Sequence, residues 1–138
     1  MRTTIVVALM MLALTACSSG PRDAMQTAEA QLKDTVPSVV QALALDTRDD
    51  SHQEVSRDPG LIARSVIYDR RTRCTTGEPV SCGALLEEWP SHLAAEKRAD
   101  ALRAQGMKVV VADRLVAQLS PQLDAGAQQQ YAAALQAG

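Results

Sequence analysis

The pattern of apolar and polar positions predicts that helices dominate the chain. The first run follows Asp23, a preferred helix-capping residue, and its apolar positions are spaced by three, four or seven residues: Met25, Leu32, Val36, Val39 and Leu43. Proline lacks a backbone amide hydrogen and interrupts helical hydrogen bonding. Pro37 therefore either kinks one long helix or starts a second one.

Two later segments have helical spacing as well. Residues 84–105 are predicted to be helical, with Pro90 as a break, Ser91 as the cap of the second part and Gly106 as the stop. A last helix is predicted to start at Ser120-Pro121, because apolar positions then recur every four residues: Leu123, Ala127, Tyr131 and Leu135.

Only two segments favour strands. Residues 61–68 are rich in β-branched and aromatic side chains, and residues 107–112 contain three consecutive valines. Residues 113–119 fit either a helix or a strand, and the polar residues 46–60 are expected to form a solvated loop. The predicted fold is a small, mainly helical α+β domain with a short two-stranded sheet and one disulfide loop.

Composition narrows the class of protein. The chain has 138 residues and no Phe, and its only aromatic side chains are Tyr68, Trp89 and Tyr131. Ala, Leu and Val must therefore fill one modest core. The net charge is −2, which gives no basic surface for nucleic acid. No nucleic-acid partner, metal or cofactor is expected.

The residues before Cys17 resemble the signal of bacterial lipoproteins. Arg2 precedes a short apolar stretch that ends in Leu14-Thr15-Ala16-Cys17, a match to the lipobox. The resemblance implies cleavage after residue 16, acylation of Cys17 and a short tether at residues 17–22. Ser18, rather than Asp, implies the periplasmic face of the outer membrane. A single periplasmic domain at residues 23–138 is then expected, and the mature chain from Cys17 carries 13 Lys and Arg against 16 Asp and Glu, or −3.

The other two cysteines are expected to pair. Cys74 and Cys82 form an even pair in an oxidising compartment, and glycine and proline between them let the chain turn back. The alternative is a redox or metal-binding pair, although the spacing is not Cys-x-x-Cys and no histidine is close in sequence.

Three arginines lead into this loop and make the most basic stretch of the chain. Arg70, Arg71 and Arg73 present planar sets of donors that suit a carboxylate, a phosphate or an acidic protein surface. With Glu78 they form the predicted partner-binding surface. The alternative is a solvated strand end at which Asp69 and Glu78 are simple charge neighbours.

Residues 95–111, AEKRADALRAQGMKVVV, resemble the helix–glycine–strand unit of the sporulation-related repeat domain. That resemblance implies binding to denuded peptidoglycan. The second strand–helix–strand half of that domain does not follow Ala112, and no binding residue is carried over.

Motifs for catalysis are missing from the sequence. It contains neither Gly-x-Ser-x-Gly nor Ser-x-x-Lys, and Glu87 and Glu88 are adjacent and point to different sides. No enzyme is therefore expected. Two functions remain: a lipid-anchored module that binds a protein, as an inhibitor or immunity factor, an exclusion protein or an accessory of an envelope machine, or a structural or peptidoglycan-associated envelope lipoprotein.

Overall fold

A five-stranded antiparallel sheet carries the fold, in a computed structural model that describes residues 24–45, 58 and 60–137. The helices are α1 (Ala24–Thr35), α2 (His92–Ala104) and α3 (Ala125–Gln136). The strands are β1 (Val39–Leu45), β2 (Ala63–Asp69), β3 (Gly83–Glu88), β4 (Lys108–Ala112) and β5 (Leu115–Leu119). A 3₁₀ turn, Pro79–Cys82, precedes β3.

The prediction of a mainly helical domain with a two-stranded sheet is wrong. β2 and β4 lie where strands are predicted. Residues 113–119, whose sequence fits either a helix or a strand, contain β5. The error lies in two segments that are predicted to be helical and instead form β1 and β3. α1 ends before Pro37, and the chain then turns into β1 with the β-branched pair Val39 and Val40.

β3 is the central strand of the sheet, between β2 and β5, in the order β1-β2-β3-β5-β4. All six of its residues are buried. Leu and Glu favour helices in isolation, but hydrogen bonding on both sides and burial of both faces outweigh that preference here. The helical assignment of residues 84–88 fails for this reason.

α1 and α3 cover one face of the sheet, which we call the two-helix face. Leu32 of α1 and Tyr131 of α3 are fully buried there against Ile67 and Leu86 of the central strands. Asp124 caps α3 by accepting a hydrogen bond from the Ala127 amide at 2.7 Å. The main apolar core therefore lies between these two helices and the sheet.

α2 covers part of the opposite face, which we call the one-helix face. Its buried Ala95, Ala99 and Leu102 pack against Val116 and Trp89. Small side chains on α2 let the helix approach the sheet closely. Ser91 caps α2, as predicted, by accepting from the Ala94 amide at 3.1 Å.

Several predictions lie outside the described residues. They concern the signal peptide at residues 1–16, the lipobox that ends at Cys17, the tether at residues 17–22, the cap at Asp23 and most of the polar segment 46–60. Within the ranges that are described, no helix has the length and apolar character needed to cross a membrane.

Gly83, at the start of β3, sits where the chain leaves no room for a side chain. Its φ is 148°, and a Cβ there would lie 2.6 Å from the Ile67 carbonyl oxygen and 3.0 Å from the Asp69 amide nitrogen. Both neighbours belong to the backbone of β2 and cannot rotate away. Glycine at this position therefore permits the 3₁₀ turn to enter the central strand directly.

We predict that Gly83→Ala lowers the free energy of unfolding by about 3 kcal/mol, because a Cβ both clashes and strains the backbone. Gly77→Ala is the matched control, since its φ is also positive, at 82°, but nothing lies within 4 Å of the added Cβ. Gly77→Ala should lower the free energy of unfolding by about 1 kcal/mol. Urea unfolding measures both, and equal losses would contradict the packing argument.

Candidate functional site

The disulfide loop, which we define as residues 70–82, is the best-defined exposed feature of the described surface. Cys74 and Cys82 are joined in a disulfide, which confirms the predicted pairing. Cys82 is buried beneath the loop, whereas residues 73–78 are all exposed. The loop thus presents residues 73–78 to solvent, whereas Ser81 and Cys82 at its far end are buried.

Hydrogen bonds inside the loop fix its shape. The Ser81 hydroxyl donates to the Glu78 carbonyl oxygen at 2.6 Å and accepts from the Thr75 amide at 2.7 Å. The Glu78 amide in turn donates to the Thr75 carbonyl oxygen at 3.0 Å. These bonds close a tight turn around Gly77, whose positive φ suits glycine.

Gln122, just before α3, ties the loop to the rest of the domain. Its Nε2 donates to the carbonyl oxygens of Arg73 at 3.0 Å and Ser81 at 3.2 Å, and its Oε1 accepts from the Arg73 amide at 2.9 Å. One amide side chain thereby satisfies backbone groups on both limbs of the loop. Sequence reasoning missed this residue, because the partners lie 41 and 49 positions away.

Asp69, the last residue of β2, holds the start of the loop in place. Its side chain is fully buried and accepts hydrogen bonds from Tyr131 Oη at 2.9 Å and Ser38 Oγ at 3.0 Å. Arg71 donates to it from its amide at 2.9 Å, from Nε at 3.0 Å and from Nη2 at 2.8 Å. This carboxylate joins α3, β2 and the turn between α1 and β1.

The Asp69 network shifts the pKa of its members. Burial alone would raise the pKa of Asp69, but the donors outweigh it, Arg71 first and then Tyr131 and Ser38, and lower the pKa to about 2. Burial, reinforced by the Asp69 charge, raises the pKa of the Tyr131 phenol. The pair with Asp69 raises the pKa of Arg71.

The three arginines therefore have different positions. Arg71 is held by Asp69 and also donates to Gln130 Oε1 at 2.8 Å, so it stabilises the fold. Arg70 Nη2 donates to the Pro37 carbonyl oxygen at 2.9 Å. The Arg73 guanidinium is exposed and forms no hydrogen bond or ion pair within the described part of the chain. Arg73 and the exposed Glu78 are thus the predicted site residues available to a partner.

A groove of about 400 Å³ runs beside the loop. Its walls are mainly apolar, from Pro79, Val80, Met107 and Pro121, and Glu78 is the charged side chain in its lining. A second groove of about 380 Å³ lies between α1, α3 and the β4–β5 turn. Both are large enough to receive one or two side chains of another molecule.

A second buried carboxylate lies on the one-helix face. Glu87 accepts from Arg98 Nε at 2.9 Å and Nη2 at 3.1 Å, from Gln118 Nε2 at 2.8 Å and from Trp89 Nε1 at 3.2 Å. Glu88 points to the other face, where Arg114 Nη2 lies 3.4 Å from its Oε1. The two carboxylates are therefore not a catalytic pair, and Glu87 instead fixes α2 to the sheet.

Comparisons with known proteins found no relative: no family model, no curated protein and no solved structure matches this chain. Across residues 24–45, 58 and 60–137, no three His, Cys, Asp or Glu side chains come together as a metal-binding group.

We predict that the Asp69 network makes stability sensitive to acid. The native pKa of about 2 lies below the value of about 3.9 in the unfolded chain. Its contribution is therefore fully present above about pH 4 and is lost as the pH falls through 2. Between pH 6 and pH 2, the free energy of unfolding of wild type should fall by about 2 kcal/mol more than that of Asp69→Asn.

Urea unfolding of both proteins across this pH range isolates the Asp69 contribution, because the remaining carboxylates are common to them. Tyr131→Phe removes one donor and should give an intermediate pH dependence. A difference between wild type and Asp69→Asn that stays constant with pH would contradict the assignment.

Proposed function

We propose that the protein is a lipid-anchored module at the periplasmic face of the outer membrane, and that it binds another protein through the disulfide loop. The fixed shape of this exposed loop carries the proposal. The disulfide and the three hydrogen bonds of Gln122 order the loop before any partner arrives. A preordered loop loses less conformational entropy on binding than a flexible one.

The contact residues of the proposed surface are Arg73 and Glu78. Both side chains are exposed, they have opposite charge, and Glu78 borders the groove beside the loop. An apolar groove with charged groups at its edge suits an apolar side chain of a partner surrounded by polar contacts. Arg71 contributes by holding the loop in place through Asp69, rather than by direct contact.

The role is a binding one without catalysis. It fits an inhibitor or immunity factor, an exclusion protein or an accessory lipoprotein of an envelope machine. The alternative is a peptidoglycan-associated lipoprotein, which is favoured by the order α2–Gly106–β4, where a helix, a glycine with φ of 81° and a strand follow one another. This order agrees locally with the resemblance to the sporulation-related repeat domain.

The proposed location at the periplasmic face of the outer membrane depends on acylation of Cys17. We predict that the intact mass of the mature chain lacks residues 1–16 and includes acyl chains. Two or more chains hold a protein stably at a membrane. Cys17→Ser should leave the membrane fraction or accumulate unprocessed. An unacylated wild-type chain in the soluble periplasm would overturn the anchor.

We predict that Arg73→Glu weakens binding of a protein partner by about tenfold or more, because it places a repulsive charge at the contact. The matched control is Lys97→Glu, which reverses an exposed charge on α2. Partners retained from envelope extracts by immobilised wild type, Arg73→Glu and Lys97→Glu are compared by quantitative mass spectrometry. Both variants should unfold within about 0.5 kcal/mol of wild type, since exposed charges contribute little to stability.

A protein lost with Arg73→Glu and kept with Lys97→Glu supports the proposal. Partners that bind all three proteins equally would overturn the role of the loop. Sedimentation with isolated peptidoglycan, unchanged by Arg73→Glu, would favour the alternative function.

A further inference from the structure

The sheet has two ends, and the disulfide loop lies at one of them. β3 begins at Gly83, next to the loop, and finishes at Glu88, about 20 Å away for a strand of six residues. There the Ile62 amide donates to the Glu88 carbonyl oxygen at 2.9 Å, and the Trp89 amide donates to the Arg114 carbonyl oxygen at 2.9 Å. We call this end of the sheet the Trp89 end, and it is formed by residues 61–62, 89–93 and 112–115.

The first described residue of the chain also lies at the Trp89 end. Ala24, in the first turn of α1, lines one groove together with Asp113 of the β4–β5 turn. α1 then runs to the other end of the sheet, where the chain enters β1 at Val39, opposite Asp69. Seven residues, 17–23, lead from Cys17 to Ala24, and a chain of that length spans at most about 25 Å. An acylated Cys17 would therefore keep the Trp89 end within reach of the membrane surface.

Two large apolar side chains are exposed at this same end. Leu93, in the first turn of α2, is 65% exposed, and Ile62 is 48% exposed. Their neighbours in sequence, Ala94 and Leu61, both pack against the cluster around Trp89. The two exposed side chains therefore lie on either side of one small core and stand out from the same end of the molecule.

We propose that the Trp89 end rests on the phospholipid surface, with Leu93 and Ile62 inserted among the lipid headgroups and the disulfide loop directed into the periplasm. The proposal rests on the acylation of Cys17 that belongs to the proposed function. Two apolar side chains bind a membrane weakly by themselves, but an anchor a few residues away raises their effective concentration at its surface.

The charges at the Trp89 end indicate the kind of lipid surface. Asp113 is exposed, and Arg114 lies partly exposed beside it, with its Nη2 3.4 Å from Glu88 Oε1. Charges of both signs suit a zwitterionic headgroup, such as that of phosphatidylethanolamine, whereas recognition of anionic lipid relies on clustered Lys and Arg. Apolar insertion, rather than attraction to anionic lipid, therefore holds this end at the membrane.

Fluorescence quenching tests which end faces the lipid. The acylated full-length chain, purified from bacterial membranes, is placed in vesicles of phosphatidylcholine and phosphatidylethanolamine. Pro90→Cys, exposed at the Trp89 end, and Thr76→Cys, exposed on the loop, each carry a fluorophore, and nitroxide groups on the lipids quench it at short range. The native cysteines do not react, since one is acylated and two are joined. Quenching at Pro90 should exceed that at Thr76 at least about fivefold, because interfacial apolar groups enter the headgroup region.

Leu93→Glu tests the apolar side chain itself. A carboxylate in the first turn of a helix interacts favourably with the helix dipole, and Leu93 is exposed, so the fold should stay intact. In the chain labelled at Pro90, this charge should reduce quenching at least about threefold, because it resists transfer out of water. Ala101→Glu is the matched control, since it adds the same charge at an exposed position further along α2 and should leave quenching unchanged. Urea unfolding confirms that both variants are folded.

Flotation of the vesicles separates this proposal from the anchor. Stronger quenching at Pro90 than at Thr76, reduced by Leu93→Glu and kept with Ala101→Glu, supports a membrane-facing Trp89 end. In chains that float with the vesicles, equal quenching at both labels, stronger quenching at Thr76 or no effect of Leu93→Glu would overturn the proposal and leave the anchor in place. A chain that is not acylated and does not float would overturn both.

Discussion

The buried carboxylate of Asp69 is the constraint on which the rest of the described structure depends. It lies at the end of β2, where a solvated charge would be unremarkable, yet its side chain is fully buried. A buried carboxylate is tolerated only when its oxygens are fully hydrogen-bonded. Tyr131, Ser38 and Arg71 meet that need from α3, from the turn before β1 and from the start of the disulfide loop. One charge thereby fixes the relative positions of elements that are distant in sequence.

The sequence pattern predicted local features well and the sheet poorly, and β1 shows why. A register shift between Val39 and Gln41 marks a bulge, so that Val39 and Ala42 both pack on the two-helix face although they are three residues apart. The helix prediction for this segment rested on Val36, Val39 and Leu43, which are spaced by three and four residues. In the structure Val36 precedes β1, Val39 is its buried first residue and Leu43 is exposed, so the three do not share one helix face. β3 failed for a different reason, because its helix-favouring residues are held in the centre of the sheet by β2 and β5. The Ser91 cap, the valine strand and the glycine stop after α2 were predictable because they depend on neighbouring residues alone. The start of the last helix was predicted at Ser120-Pro121, but α3 begins later, after its cap Asp124.

The candidate site, too, could be predicted from the sequence only in part. The disulfide was predictable because Cys74 and Cys82 lie close in sequence, with glycine and proline between them that let the chain turn back, whereas the residues that hold the loop were not. Gln122 is one of many glutamines near the carboxyl terminus, and nothing local distinguishes it. Among the arginines, neighbours in sequence have opposite roles: Arg71 turns back to Asp69, while Arg73 stays in solvent. That difference follows from long-range packing, which periodicity does not describe.

The disulfide loop and the start of β1 are coupled through Asp69. Its register partner is Val39, the first residue of β1, and Ser38 just before it donates to the carboxylate. The Arg70 amide returns a hydrogen bond to the Ser38 carbonyl oxygen at 2.9 Å, so the start of β1 and the start of the disulfide loop share one set of contacts. Loss of the Asp69 charge would therefore disturb the start of β1 together with the loop, and it would not isolate the binding role of the loop. Arg73→Glu changes the surface of the loop alone, because the Arg73 side chain is exposed and takes no part in the Asp69 network.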